Sequence, residues 1–168
     1  MSDPRPAGPV PRDPAPTRAR TVGRVLLGLT LGLAGVSHLT TARQDFQAQV
    51  PPWVPGDPDA VVLASGVVEI ALGAALVAVG PRRRVLVGWA VAAFFVAVLP
   101  GNVSQLLTRT DAFGLDSDLA RALRLPFQPL LVVWALWSTG AWRAWRDRRR
   151  ARGDAGPGRP ATPPAPRP

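Results

Sequence analysis

Four long apolar runs divide this chain, at about residues 22–40, 59–79, 85–99 and 126–145. Each is of the order a helix needs to cross the hydrocarbon core of a bilayer. The pattern predicts an all-α fold, a membrane four-helix bundle. The stretches between the runs carry start and stop signals. Asp57-Pro58 reads as N-cap followed by N1 of the second helix. Gly80-Pro81 closes that helix, and Arg82-Arg83-Arg84 makes a tight turn. Pro100-Gly101-Asn102 is expected to stop the third helix, with 103–125 as a longer loop. Within that loop Ser117 is expected to cap a short amphipathic helix over 118–125, lying in the interface before helix four. Pro126 and Pro129 open helix four, where missing N–H groups are tolerated in the first turn. The flanks, 1–21 and 146–168, are rich in Arg and Pro, and such segments bury too little apolar area to fold. They are expected to be disordered tails.

Polar positions inside the runs are few. Glu69 sits in the second run, about 13–15 Å along its helix from the end nearer Asp59 at 1.5 Å per residue. An ionisable group at that depth is costly, and it faces a protein interior or a wet cavity. Ser65, Glu69 and Gly73 share one face by their spacing, so small residues there admit a neighbouring helix. Gly28, Gly32, Gly35 and His38 form a similar stripe on the first helix, ending in the one histidine of the chain.

Charge sets the expected topology. The flank through Arg24 carries five arginines, the 82–84 turn three and the tail from Arg143 eight, against four in the two opposite loops. Basic residues are retained on the cytoplasmic side, so both termini are expected there. This distribution accounts for the net charge of +9 without nucleic acid. Arg148-Arg149-Arg150 is suited to anionic lipid headgroups. The chain has no Cys, one His and no Tyr. Disulfides, thiolate metal sites and a multi-histidine metal or haem site are therefore excluded within this chain, and no metal site is expected.

With that topology His38, Asn102, Arg124 and Gln128 come to the outer ends of their helices, with Glu69 deepest. The stiff run Val50-Pro51-Pro52-Trp53-Val54-Pro55 passes over the same mouth. The expected site is a polar pocket of His38, Trp53, Glu69, Asn102, Arg124 and Gln128, with Trp53 and the prolines as a cover. Each residue has a plainer role open to it. Glu69 can tie helices together through Arg124 or His38, His38 can be a packing residue, Asn102 a helix cap and Arg124 an interface anchor.

Gly35-x-x-His38, Phe46, Val50 to Pro55, Ser65 to Gly73, Pro100-Gly101-Asn102 and Arg124-Leu125-Pro126-Phe127-Gln128, in this order and spacing, resemble the DoxX-like family of small bacterial four-helix membrane proteins. The resemblance covers about 22–145. Family members often carry Ala where Gly101 stands. The resemblance implies a multi-pass protein of the bacterial cytoplasmic (inner) membrane. Some relatives are subunits of a thiosulfate:quinone oxidoreductase or of redox-stress complexes. The chain shows no flavin, haem or iron–sulfur motif, so it is expected to hold no cofactor and to run no electron transfer alone.

Three functions follow as expectations. The first is a non-catalytic membrane subunit that binds a quinone or other lipophilic ligand for a redox partner protein. The second is a small-molecule or lipid transporter, with a homo-oligomer supplying the missing repeat. The third is a structural assembly factor with no ligand.

Overall fold

The computed structural model describes residues 17–114 and 117–154. The described residues are helical throughout, apart from the connections: α1 (Arg18–Leu39), α2 (Arg43–Gln47), α3 (Pro58–Ala78), α4 (Arg84–Thr108), α5 (Asp118–Arg124), α6 (Phe127–Thr139) and α7 (Ala141–Asp154). Four spans are long and apolar enough to cross a membrane: α1, α3, α4, and α5 continued into α6 as Asp118–Thr139. They point to a multi-pass membrane protein. Large side chains such as Leu29, Leu33, Val67, Leu86, Val96 and Val133 remain exposed on the outer faces. In water a surface of this kind drives association, whereas lipid tails cover it without cost.

The helix ends follow local rules. Asp57 accepts a hydrogen bond from the Asp59 amide at 3.1 Å, and Pro58 occupies the first helical position. Ser117 accepts from the Ala120 amide at 3.2 Å to start α5. The last carbonyls of α3 have no donor within the helix. The Arg24 guanidinium supplies one, donating to Leu76 O and, at 3.2 Å, to Val77 O. Arg84 Nε does the same for α6, donating to Thr139 O at 3.0 Å. Gly140 then takes a left-handed conformation (φ 77°) and ends α6.

α1 packs most closely on α3, and α4 on α6, while α3 and α4 meet only sparsely. Glycines bring the first pair together. A Cβ on Gly28 would lie 2.8 Å from Gly73 O, and one on Gly35 2.6 Å from Gly66 O. Backbone thus rests on backbone at two levels, the contact that small residues permit between membrane helices. The buried stripe of α3 is Val62, Gly66, Glu69, Gly73 and Leu76. Gly66, rather than Ser65, therefore makes the close approach beside Glu69, and Ser65 is only half-buried. Leu27, Leu31, Leu76, Val91, Phe95 and Ala135 form the apolar core between the two pairs.

Several expected boundaries move. Helix one begins at Arg18 instead of residue 22, so 18–21 belong to the helix. The rest of the expected N-terminal tail, 1–16, lies outside the described residues apart from Thr17. α4 does not stop at 99; it passes through Pro100 and ends at Thr108, capped by Arg109, whose φ is 52°. Pro100 has no N–H, so the Val96 carbonyl loses its intrahelical donor, yet flanking turns continue the helix. Helix four is split by Gly140, and α7 carries the helix to Asp154, so 146–154 are helical rather than a disordered tail. The remainder, 155–168, again lies outside the described residues. The 41–58 loop contains the short helix α2.

Candidate functional site

Between the two helix pairs, at the end where α1 finishes and α3 begins, lies a cavity of about 660 Å³. This falls within the size range of small-molecule sites. Its walls are mainly apolar, from Leu27 and Leu31 of α1 to Phe94 and Phe95 of α4 and Leu131 of α6. It extends to the outer surface along the sparse α3–α4 seam, where Ala64, Val68 and Ala97 line it and are exposed. All six residues of the expected pocket, His38, Trp53, Glu69, Asn102, Arg124 and Gln128, line this one cavity.

Glu69 is only 7% exposed. His38 Nδ1 lies 3.2 Å from Glu69 Oε2, but it is also 2.8 Å from Ala34 O on its own helix. One N–H cannot point at both. The shorter contact takes it, and Glu69 Oε2 is left without a hydrogen-bond donor. Gln128, also 7% exposed, donates from Nε2 to Phe95 O at 3.2 Å. Two turns of helix thus meet through a side chain near the carbonyls that Pro100 disturbs. Asn102 lies inside α4, not at its end as expected, and Asn102 Oδ1 is buried without a donor.

Arg124 ends α5, and among the described residues no carboxylate pairs with it. Its guanidinium lies 4.6 Å from the centroid of the Phe113 ring. With the Gln49 amide turned so that its oxygen faces the guanidinium, Gln49 accepts from Nη1 and Nη2 at 2.8 and 3.0 Å. Phe113 meets Phe46 edge-on at 4.6 Å, and Phe46 stacks on His38 with ring centroids 3.4 Å apart. A ladder of rings therefore runs from the histidine on α1 to the arginine on α5. The edge contact suits the ring quadrupole and the cation suits the ring face, while His38 and Phe46 lie face to face.

The loop above the cavity is held at both ends. Arg43 Nε donates to Asp59 Oδ1 at 2.6 Å, and Gln47 Nε2 donates to the same oxygen at 2.9 Å. The hydrogen bond that Arg43 donates to Asp59 raises the Arg43 pKa above its ordinary value. At the other end Gln49 O presses on α4, where a Cβ on Gly101 would lie 2.5 Å from it. The glycine at a position where the DoxX-like pattern often has Ala is thus a site of close backbone approach. Pro51 is buried and closes the cavity, whereas Trp53 is 72% exposed. Trp53 forms a rim, and of the expected proline cover only Pro51 lines the cavity, flanked by Val50 and Val54, while Pro52 and Pro55 are exposed.

Gln49 and Phe113 carry no signal in the sequence pattern. Both lie in connections, where periodicity is silent, and Phe113 has a φ of 57°, a conformation uncommon for a bulky residue. The one available cue is an aromatic residue in an otherwise polar loop.

No curated protein and no solved structure matches this chain. Residues 27–139, which hold the four spans' packed faces and every residue of the cavity described above, match a family described only as a domain of unknown function. The chain belongs to that family, DUF8561.

Proposed function

We propose that this protein is a non-catalytic membrane subunit that holds a quinone-type lipophilic ligand in the cavity between its helix pairs. One observation carries this reading: a nearly enclosed carboxyl without a donor lines an apolar cavity that is accessible through a seam between two spans. Buried carboxyls in membrane proteins mark ligand or proton sites. A lipophilic ring enters sideways from the bilayer through the α3–α4 seam and meets polar groups at its head. Both termini are cytoplasmic in this reading, from the arginine asymmetry, and the membrane is the bacterial inner membrane, from the DoxX-like resemblance. α5 lies in the outer interface, and the arginines of α7 sit at anionic headgroups. A redox partner protein supplies the cofactor that this sequence lacks motifs for.

The test is direct. Ser65 lines the cavity and is half-buried. Ser65→Phe fills the space without touching the glycine contacts. Titration of the purified protein in nanodiscs with an equimolar mixture of a short-chain benzoquinone and its quinol is expected to show saturable binding. Ser65→Phe is expected to weaken it at least tenfold with thermal stability unchanged. Binding that is non-saturable, or indifferent to Ser65→Phe, rejects the reading.

A further inference from the structure

The buried cavity atoms left without a partner are both acceptors, Glu69 Oε2 and Asn102 Oδ1. A carboxylate and an amide oxygen accept, an amide nitrogen and a guanidinium donate, and a neutral imidazole does one at each nitrogen. Glu69 Oε2 receives no hydrogen bond from the described residues, and Asn102 Oδ1 receives none either. Gln128 has committed its amide nitrogen to Phe95 O, which turns its oxygen the other way. His38 has committed Nδ1 to Ala34 O, which makes Nε2 the acceptor in the neutral ring. Two buried oxygens are thus without a donor, and Gln128 Oε1 and His38 Nε2 are further acceptors on side chains whose other nitrogen already faces backbone. On the donor side, Arg124 Nη1 and Nη2 face Gln49 when its amide oxygen is turned toward them, the guanidinium lies over Phe113, and the Asn102 amide nitrogen can also donate. The Ser65 and Thr30 hydroxyls, which also line the cavity, serve in either role.

A buried acceptor without a donor destabilises the empty site, so a ligand that brings a donor recovers that cost on binding. A ligand that brings only acceptors leaves Glu69 Oε2 and Asn102 Oδ1 without a donor. Quinone carbonyls only accept, whereas quinol hydroxyls also donate. Resting on the quinone-type reading above, we infer that the cavity selects the reduced, hydroxyl-bearing form of its ligand, with a ligand hydroxyl donating to the Glu69 carboxyl. A site specific for the reduced form retains a quinol after a partner has made it, or presents one to a partner that consumes it.

The experiment uses the full chain in nanodiscs and three probes with the same short tail: a benzoquinol kept reduced under argon, its quinone, and the bis-O-methyl ether of the quinol. The ether keeps the shape of the quinol and removes its donors. The quinol is expected to bind at least tenfold more tightly than either of the others. Glu69→Gln places an N–H donor beside the ligand and is expected to cut the preference for quinol over quinone to threefold or less. A quinone bound as tightly as the quinol, or an ether bound as tightly, overturns the selection while leaving the ligand site in place. A quinol preference untouched by Glu69→Gln removes Glu69 from it and overturns the assignment. Failure of all three probes to bind overturns the quinone-type reading itself and the selection with it.

Discussion

The two ends of this bundle treat polar side chains in opposite ways. At the end where α3 and α6 finish, each buried or half-buried polar group described here is spent on backbone. Arg24 serves the last carbonyls of α3, Arg84 serves Thr139 O, Trp134 Nε1 donates to Gly23 O at 3.0 Å, and Thr139 Oγ1 donates to Ala135 O at 2.7 Å. Leu27, Leu76, Val91 and Ala135 fill the space between. At the other end the helices part around a cavity, and Glu69 and Asn102 keep oxygens without donors. Polar groups at the closed end hold helices together, whereas those at the open end are left for something else. Folding selects against unsatisfied buried polar atoms, and their concentration at one end is the observation on which the proposed ligand site rests.

Three substitutions break or sharpen this contrast. The largest effect is expected from Gly73→Leu. A Cβ there already lies 2.6 Å from Gly28 O, so a leucine must push α1 off α3. The cost is about 3 kcal/mol, at the upper end for overpacking. Unfolding in mixed dodecyl maltoside and SDS micelles, followed by circular dichroism, measures it. A variant as stable as the parent would mean that the glycine contact does not hold the pair together.

Arg24→Met comes next. It keeps the apolar stem and removes the hydrogen bonds to Leu76 O and Val77 O. About 1.5–3 kcal/mol of stability is expected to go, the scale for hydrogen bonds to charged groups. The same micelle titration reports it. A loss below 0.5 kcal/mol, the size of an ordinary surface substitution, would remove the closed end's distinction.

The smallest effect on stability is expected from Glu69→Leu, although this residue is more buried than Arg24. A leucine of similar volume removes a carboxyl that has no donor, and replacing an unsatisfied polar group by an apolar one is neutral or stabilising. The expected change is within about 0.5 kcal/mol of zero, or a gain, while ligand binding falls. A loss above about 1.5 kcal/mol would assign Glu69 to helix tethering through His38 and make the two ends alike.

The spans, their number and the oddity of Glu69 were all legible before any coordinates. Hydropathy over some twenty residues is a local property, and the bilayer reads it one segment at a time. The same is true of the Asp57-Pro58 and Ser117 starts, where a side chain meets an amide two or three residues away. Even the convergence of His38, Asn102, Arg124 and Gln128 could be placed, because an up-and-down order of spans sorts residues to one end or the other.

What the pattern left undecided depends on which element lies opposite. Pro100 reads as a stop, yet α4 continues through it, because packing on α6 and under the Gln49 loop outweighs one lost hydrogen bond. Ser65 and Gly66 are equally small on paper, and only the position of α1 makes Gly66 the contact. Gln49 and Phe113 reach Arg124 across connections with no period to read. That Glu69 Oε2 is left without a donor follows from a competition at His38 Nδ1 between a carbonyl on its own helix and an oxygen on another. Such outcomes turn on tenths of an ångström between segments distant in the chain, and residue order carries no record of them until the helices have docked.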